Sequence, residues 1–423
     1  MEYKTYKLGT CFSLIENGAI IKQRKEAKGF PITRIETLSH GKFNRDKLGH
    51  ADIFDTTPYK RYILEDKDLI MSHINSRAFL GRTVLYRKKG NEQIIHGMNV
   101  LRIKTNELFL DPVFASYLFK TSHFKKAIDS IRKDAINQSS INIFDICNIQ
   151  ISLPSITEQR KISHALQLID KKIETNHLIN DNLEAMAKQL YDYWFVQFDF
   201  PNEEGKPYKS SGGAMVWNEK LKREIPKGWS CESLQNICSI KRGASPRPID
   251  EYMDSSCNGM PWVKISDATV SSSPFLTQIK ECIIQEGVSK SVRVIPNTLI
   301  VSNSATPGIP KFIQLEACVH DGWLVVTNYN EVFTYYLYYV IKMIRQNLLH
   351  MASGSIFKNL KTDYLKEFIC IIPHMNILEL YHKKVEKIMK QILNHQNNTE
   401  ELTKLRDELL PLLMNGQAVV NSD

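Results

Sequence analysis

Apolar residues recur at alternating steps of four and three in two long stretches of the chain. The first series comprises Ile162, Leu166, Ile169, Ile173, Leu183, Ala187, Leu190 and Trp194. Most of these positions reappear 219 residues later, as Tyr381, Val385, Ile388, Ile392, Leu402, Leu409 and Leu413. An apolar seam that repeats about every 3.5 residues is typical of helices that pair in a coiled coil. The pattern therefore predicts two long helices built on one repeated plan.

Both seams are interrupted by polar residues near the middle of the helix. Asn176 and Asn180 lie on the first seam, and His395 and Thr399 lie on the second. Polar seam residues fix the register of paired helices at some cost in stability. If the two helices pack antiparallel, both interruptions meet, which is the arrangement we expect. In the alternative, each helix packs separately against the globular segment that precedes it.

The segments before the helices also repeat, with insertions between the repeated blocks. Asp68–His73 (DLIMSH) matches Thr298–Asn303 (TLIVSN), and Phe30–Ile35 (FPITRI) matches Met260–Ile265 (MPWVKI). These short blocks are β-branched and bounded by Pro, Gly, Asn and Ser, so they predict strands. Each half should contain a strand-rich globule, one shorter helix, a strand ending at Pro154 or Pro373, and the long helix.

The predicted fold class is α+β: two mixed α/β domains joined by two long antiparallel coiled-coil helices, with a pseudo-two-fold internal repeat. The predicted boundaries are 1–152 for the first domain, 153–197 for the first long helix, 198–225 for a central linker, 226–372 for the second domain and 373–423 for the second long helix.

Composition narrows the class of protein. No apolar run approaches the roughly 20 residues that cross a bilayer, and the first residues lack the apolar region of a signal peptide. The 8 cysteines are scattered without a C-x-x-C pair. This distribution argues against a zinc site or a disulfide framework. We therefore expect a cytoplasmic protein with unpaired thiols and no membrane association.

The net charge of +9 is concentrated in the first globular segment. Residues 1–150 hold 25 Lys and Arg against 16 Asp and Glu, whereas residues 226–372 carry a net charge of only +2. Clustered basic residues favour a polyanion such as DNA, because they displace the counterions of its phosphates. The small charge of the second segment implies greater use of neutral donors there, or DNA that partners already hold.

The sequence lacks the motifs of the enzymes that act on DNA or nucleotides. Asp55–Tyr59 (DTTPY) is the nearest match to a methyltransferase tetrad, and it lacks the first proline and the polar head. No phosphate-binding G-x-x-x-x-G-K-[ST] loop or G-x-S-x-G elbow is present. The histidines show no metal-ligand spacing. We therefore expect no catalytic residue, cofactor or metal in this chain.

Four longer motifs lie at and between the repeated segments: Leu153–Ile162 (LPSITEQRKI), Leu190–Pro201 (LYDYWFVQFDFP), Gly205–Val216 (GKPYKSSGGAMV) and Arg223–Trp229 (REIPKGW). Together they resemble the specificity subunit of Type I restriction–modification systems. The duplicated plan extends the resemblance over essentially the whole chain. The second helix departs from it, because Ile377–Glu379 (ILE) stands where the first helix has Glu158–Arg160 (EQR).

The resemblance implies a non-catalytic subunit with two target-recognition domains, each reading one half of a bipartite, asymmetric sequence in double-stranded DNA. It also implies methyltransferase subunits, expected to number two, on the helical regions, and a motor–nuclease subunit. Two other hypotheses remain open at this point. A coiled-coil scaffold would show no DNA binding in the reconstituted complex, and a stand-alone regulator would bind an operator without a methyltransferase.

Candidate DNA contacts are polar residues on loops beside the repeated strands. Arg and Asn are the usual readers of guanine and adenine in the major groove. The candidates for base contact are Arg34, Asn75, Ser76, Arg77 and Arg82 in the first half and Lys264, Asn303, Ser304, Thr306 and Lys311 in the second. The candidates for phosphate contact are Arg24, Lys25, Lys28, Lys42, Arg45, Lys241, Arg242 and Arg247.

Overall fold

The structure is a computed structural model that describes residues 2–21, 28–136, 138–351 and 360–420. The chain folds as two units. The first unit joins residues 1–173 to residues 402–423, and the second comprises residues 174–401. Both unit boundaries fall within long helices, so each helix contributes to both units.

The first unit contains short strands followed by helices. Its strands are β1 (Lys4–Lys7), β2 (Phe12–Asn17), β3 (Pro31–Ile32), β4 (Gly49–His50), β5 (Leu69–Ser72), β6 (Ile74–Asn75), β7 (Thr83–Leu85), β8 (Val100–Thr105), β9 (Lys133–Asp134), β10 (Ser139–Ser140) and β11 (Gln150–Leu153). Its helices are α1 (Pro112–Leu118), α2 (Ser122–Ser130), α3 (Ile143–Asn148) and the start of α4 (Ile156–Tyr191). The prediction of one shorter helix before the long one is wrong for this half, because side-chain caps at Asp111, Thr121 and Asn142 start three separate helices.

An antiparallel sheet in the order β2-β8-β5-β7 forms the centre of the first unit. All four residues of β5 are buried, which explains its continuous apolar sequence LIM before Ser72. This sheet contains buried charged residues: Arg102 of β8 is 2% exposed and donates to the carboxylate of Asp68, 1% exposed, at 2.7 Å. Arg102 also donates to the carbonyl of Arg61 at 2.8 Å. A buried charge is tolerated only with such partners.

The second unit begins with the remainder of α4, which continues into a π-helical turn at Asp192–Val196. Its strands are β12 (Met215–Asn218), β13 (Arg223–Pro226), β14 (Ser230–Ser233), β15 (Ser239–Arg242), β16 (Met253–Asp254), β17 (Met260–Val263), β18 (Phe275–Leu276), β19 (Cys282–Ile283), β20 (Val292–Val294), β21 (Leu299–Ser302), β22 (Pro310–Ile313), β23 (Ala317–Val319), β24 (Trp323–Thr327) and β25 (Ile369–Ile372). Its helices are α5 (Leu234–Ile237), α6 (Ile265–Val270), α7 (Gln285–Val288), α8 (Thr334–Met351), α9 (Thr362–Glu367) and α10 (Met375–Met414), the last of which ends in the first unit.

The central sheet of the second unit has the order β15-β24-β21-β22-β18. The first four strands reproduce the antiparallel order of β2-β8-β5-β7. The register agrees as well, because Leu69 faces Ile103 in one sheet and Leu299 faces Val326 in the other. The repeated blocks therefore occupy equivalent strands, and the sequence repeat is a structural repeat.

The two long helices pair antiparallel in both units. In the second unit, Asn176 of α4 bonds Asn398 of α10, and Asn180 bonds the carbonyl of Ile392. In the first unit, Arg406 donates to Asp170 at 2.9 Å. As the residue numbers increase along α4, the numbers of the residues that they contact on α10 decrease. The predicted α+β fold with two long antiparallel helices is confirmed.

The N-terminal strand β1 has the same role in the first unit as strand β14 has in the second, because each pairs with the strand that precedes a long helix. Strand β1 pairs with β11, as β14 pairs with β25. The hydroxyl of Tyr3 donates to the carbonyl of Leu413 at 3.4 Å. The first unit is therefore built from both ends of the chain.

One prediction about the cysteines is wrong. Cys257 and Cys282 form a disulfide that ties the loop after β16 to the start of β19. Their separation of 25 residues carries no recognisable motif, so composition alone does not reveal the pair. The described thiols that remain free are mostly buried.

Candidate nucleic-acid interface

A tight turn at residues 320–322, between β23 and β24, is the centre of a polar cluster in the second unit. The N–H of Gly243 donates to the carbonyl of Trp323 at 2.8 Å, which brings the loop after β15 against this turn. A Cβ at Gly243 would lie 2.2 Å from the carbonyl oxygen of His320, so only glycine fits there. The close approach brings the basic residues of β15 to the turn.

Asp321 binds three side chains at this turn. Nε of Arg242 donates to its main-chain carbonyl at 2.7 Å, and the hydroxyl of Ser245 donates to its carboxylate at 2.8 Å. Nη2 of Arg247 lies 3.4 Å from the other carboxylate oxygen. Burial alone would raise the pKa of Asp321, but the hydrogen bond from Ser245 and the neighbouring His320 and Arg247 lower it. Asp321 is therefore an anionic anchor for two exposed arginines.

Lys264 and an aromatic pair form a second side of the cluster. The Lys264 ammonium lies 5.4 Å from the ring centroid of Trp262 and 2.5 Å from the Glu281 carboxylate. The Trp262 ring in turn contacts the His320 ring at a centroid distance of 5.7 Å. Nδ1 of His320 accepts the N–H of Gly322, which leaves Nε2 to carry the proton of the neutral ring. Burial lowers the pKa of His320 and favours that neutral form.

The loop after β21 reaches the same turn. The N–H of Asn303 donates to the carbonyl of Gly322 at 2.8 Å, and Thr306 N–H donates to the carbonyl of Ser304 at 2.6 Å. Asn303 is buried, whereas Ser304 and Thr306 are half-buried. Neutral donors and acceptors therefore lie beside the two arginines and the lysine.

The first unit contains the same backbone arrangement with different side chains. Gly18 packs against the turn at His96, where a Cβ would meet the carbonyl oxygen of Gly97 at 2.3 Å. The N–H of Gly97 donates to the Thr33 hydroxyl at 2.9 Å, which brings Arg34 to this side of the unit. His96 is fully buried, and burial lowers its pKa to about 3, so the ring is neutral. No carboxylate corresponds to Asp321, because Gly97 occupies that place.

The loop after β5 supplies the exposed cations of the first unit. The Arg82 guanidinium lies 4.3 Å from the ring centroid of Phe79, which is 42% exposed. Its Nη1 is 3.5 Å from the carbonyl of Leu38, in the 3-10 turn that begins next to Arg34. The Arg77 side chain is exposed, and its carbonyl accepts a hydrogen bond from Lys125. Arg34, Arg77 and Arg82 thus border one polar, partly aromatic loop.

The predicted contact residues differ in their accessibility. The exposed ones are Lys28, Arg34, Lys42, Ser76, Arg77, Lys241, Arg242 and Arg247, and the half-buried ones are Arg45, Asn75, Arg82, Lys264, Ser304 and Thr306. Arg24 and Lys25 lie outside the described residues.

Three of these residues have structural partners that occupy their polar groups. The Lys311 ammonium is buried and donates to the carbonyls of Ser271 and Ser273, so it faces away from solvent. Arg45 donates through two nitrogens to Glu92. The side-chain amide of Asn75 donates to the Ser72 hydroxyl at 3.1 Å. We do not retain Lys311 as a reader of bases.

Sequence reasoning missed Asp321, Ser245 and Trp262, although they hold the basic residues of the second unit. The sequence contained one signal for Asp321. His96 and His320 occupy equivalent places in the repeat, but glycine follows His96 whereas aspartate follows His320. A charged residue at a turn that is otherwise repeated is a candidate for a role that only one half requires.

Polar residues of the predicted helix seam form hydrogen bonds between α4 and α10. In the middle of the pair, Nδ2 of Asn176 donates to Oδ1 of Asn398 at 2.9 Å, and its Oδ1 lies 3.3 Å from Nδ1 of His395. The other seam positions are buried or half-buried: Ile162, Leu166, Ile169, Ile173, Asn180, Leu183, Leu190, Val385, Ile388, Ile392, Thr399, Leu402 and Leu409.

Among the described residues, no group of three His, Cys, Asp or Glu side chains is arranged to hold a metal ion. Nor does any described helix combine the length and apolarity that a membrane span requires.

Two known proteins are similar in sequence to this chain over nearly their whole length. A Methanocaldococcus jannaschii protein named as the type I restriction enzyme MjaX specificity subunit is 26% identical over 427 residues, which cover 100% of this chain and 95% of that protein. The type I restriction enzyme HindI specificity subunit of Haemophilus influenzae is 23% identical and covers 98% of this chain and 99% of its own length.

A solved structure has the same fold. The crystal structure of a Type-I restriction-modification system S subunit from M. genitalium aligns with a TM-score of 0.58 at 14% identity, covering 100% of this chain and 97% of that one. The family described as "Type I restriction modification DNA specificity domain" matches residues 1–185 and again residues 226–409. The two matched regions contain the two repeated globules, and the chain belongs to this family.

Proposed function

We propose that this chain is the DNA-recognition subunit of a Type I restriction–modification complex and that each unit reads one half of a bipartite, asymmetric target. The observation that carries the proposal is a repeated backbone site with different side chains. Gly18 and Gly243 make the same close contact with a His turn, but the residues before them are Asn17 and Arg242. Equivalent loops with different hydrogen-bonding groups suit two different half-sites.

The composition of the two clusters supports DNA rather than another ligand. Exposed Arg and Lys side chains lie beside neutral hydroxyl and amide groups, which is the combination that contacts phosphates and base edges together. The cations at these clusters are Arg34, Arg77 and Arg82 in the first unit and Arg242, Arg247 and Lys264 in the second. We assign phosphate contacts to the exposed Lys28, Lys42 and Lys241.

The catalytic steps belong to partner subunits in this proposal. The sequence has no cofactor loop or catalytic tetrad, so methyl transfer, translocation and cleavage require other chains. The partners are methyltransferase subunits, two per complex, and a motor–nuclease subunit. The long helices and the central segment between the two matched regions are the surfaces that we assign to them.

Reconstitution with a cognate methyltransferase subunit tests the proposal. The complex should methylate a bipartite motif, mapped by sequencing of modified bases, and the chain alone should not transfer methyl groups at stoichiometric concentration. Replacing residues 1–152 by the corresponding domain of a relative should change one half of the motif. The reciprocal replacement of residues 226–372 is the matched control and should change only the other half.

Three results would contradict the proposal. A change in both halves of the motif after one replacement would refute the assignment of one unit to one half-site. Absence of DNA binding by the reconstituted complex would favour a scaffold. Tight binding of one operator without any methyltransferase would favour a stand-alone regulator.

A further inference from the structure

Arg242 has an unusual attachment for an exposed cation. It is the last residue of β15, and its Nε donates to the main-chain carbonyl of Asp321 at 2.7 Å. Among the described residues, neither terminal nitrogen of Arg242 has a hydrogen-bond or ion-pair partner. The guanidinium is thus held at one edge, and the opposite edge presents its donors to solvent.

The turn that holds Arg242 is itself fixed by several hydrogen bonds. The carboxylate of Asp321 accepts from Ser245, and the carbonyl of Gly322 accepts from Asn303 N–H. Arg242 also pairs with Leu324 of β24, so its backbone is held by the strand that follows the turn of its side-chain anchor. A donor held this firmly loses little conformational entropy when it binds.

The charges around Arg242 favour a base edge over a phosphate. The Asp321 carboxylate lies at the same turn, beside Arg247 at 3.4 Å, and it would repel a phosphate brought close to either arginine. An uncharged base edge avoids this repulsion. Guanine presents two acceptors, O6 and N7, in the major groove, and a planar arginine fork binds both.

We propose that Arg242 is a specificity-determining residue that reads a guanine in the half-site recognised by the second unit. The inference rests on the proposed function, because it assumes that this unit contacts DNA. It reverses the role that the sequence pattern predicts for Arg242, which is phosphate contact. Lys241 precedes Arg242 on the same strand and is also exposed, but it has no such anchor in the described part of the chain, and it keeps the phosphate role.

The test uses the full chain assembled with its methyltransferase subunit. The assembly is incubated with DNA in which the second half-site is randomised, and the bound molecules are sequenced; the domain replacements identify which half-site this is. The wild-type assembly should require a G·C pair at one position. The Arg242→Lys assembly keeps the charge but loses the planar fork and the Nε donor, so its preference for guanine there should fall about 10- to 100-fold.

The control variant is Lys241→Gln, which removes a neighbouring charge. It should weaken binding to all sequences alike and keep the guanine preference, with a shallower dependence of affinity on salt. Arg242→Lys should retain the full preference at the first half-site, which shows that the assembly has folded.

Two outcomes overturn the inference and leave the proposed function intact. One is a wild-type second half-site without any G·C pair, and the other is an Arg242→Lys assembly that binds all sequences more weakly by the same factor. A wild-type assembly without sequence preference in either half would instead refute the proposed function, and the inference with it.

Discussion

The hydrogen bonds of Asn176 should contribute measurably to the stability of the second unit. Asn176 is only 5% exposed, and both ends of its amide are engaged, by Asn398 at 2.9 Å and by His395 at 3.3 Å. Asn176→Ala leaves Asn398 and His395 without this partner, but both are half-buried, so water replaces part of the lost hydrogen bonding. An unsatisfied buried polar group costs about 1–3 kcal/mol. We therefore expect the free energy of unfolding of this unit to fall by about 1–2 kcal/mol.

Tryptophan fluorescence measures this unit separately from the other. All 5 tryptophans of the chain, Trp194, Trp217, Trp229, Trp262 and Trp323, lie within residues 174–401. Urea unfolding followed by their emission therefore reports the unit that contains the Asn176 layer. Lys390→Ala is the control, because Lys390 lies on α10, the helix that pairs with α4 in this layer, and its side chain is 68% exposed. It should change the free energy of unfolding by less than about 0.5 kcal/mol.

A double-mutant cycle isolates the Asn176–Asn398 hydrogen bond. Asn176→Ala, Asn398→Ala and the double variant should give a coupling free energy of about 1 kcal/mol, because the second substitution removes a partner that is already lost. Independent sites add to within about 0.3–0.5 kcal/mol. A coupling below that range would show that the two amides act independently and would refute the reasoning.

Three further variants test other contacts. The hydrogen bond from Arg45 is the main cause that lowers the pKa of Glu92 to about 2. The contribution of Glu92 to the free energy of unfolding is therefore present above the unfolded pKa of about 4.3 and is lost as the pH falls towards 2. Glu92→Gln should remove this pH dependence, measured by circular dichroism during urea unfolding at about pH 7 and about pH 3. Asn17 is exposed and is the residue of the first unit that is equivalent to Arg242 of the second. Asn17→Ala should therefore lose the preference for adenine at one position of the first half-site in the randomised-DNA assay. A uniform loss of affinity for all sequences would contradict base contact. Tyr381→Phe should not destabilise the second unit in the fluorescence assay, because the buried hydroxyl of Tyr381 has no hydrogen-bond partner among the described residues. A loss above about 1 kcal/mol would show that the hydroxyl is satisfied.

The repeated architecture could be predicted from sequence because it depends on regular spacing. The helix seams repeat at a fixed offset, and a periodic apolar face must be buried wherever it occurs. The strand that begins at Leu69 and its repeat that begins at Leu299 are apolar except for a final serine, and both are fully buried central strands. Patterns of this kind survive divergence of the side chains, provided that the residues stay apolar.

The chemistry of the loops could not be predicted in the same way, because it depends on partners distant in sequence. Lys311 looked like a surface cation, yet it is buried and bound to carbonyls of residues about 40 positions earlier. The disulfide between Cys257 and Cys282 likewise follows from the pairing of β17 with β19 rather than from spacing. Such contacts become visible only when the strands are in place.

Differences between equivalent positions separate structural requirements from those of recognition. Gln159 of α4 is fully buried and bonds the backbone at Phe109 and Asp111, whereas Leu378 of α10 is equally buried and apolar. Local packing requires that difference, because each side chain suits its own buried surroundings. Arg242 instead is exposed and keeps free donors. A difference that packing does not require, at a position whose backbone geometry is repeated, is where the sequence can change to recognise another DNA target without disturbing the fold.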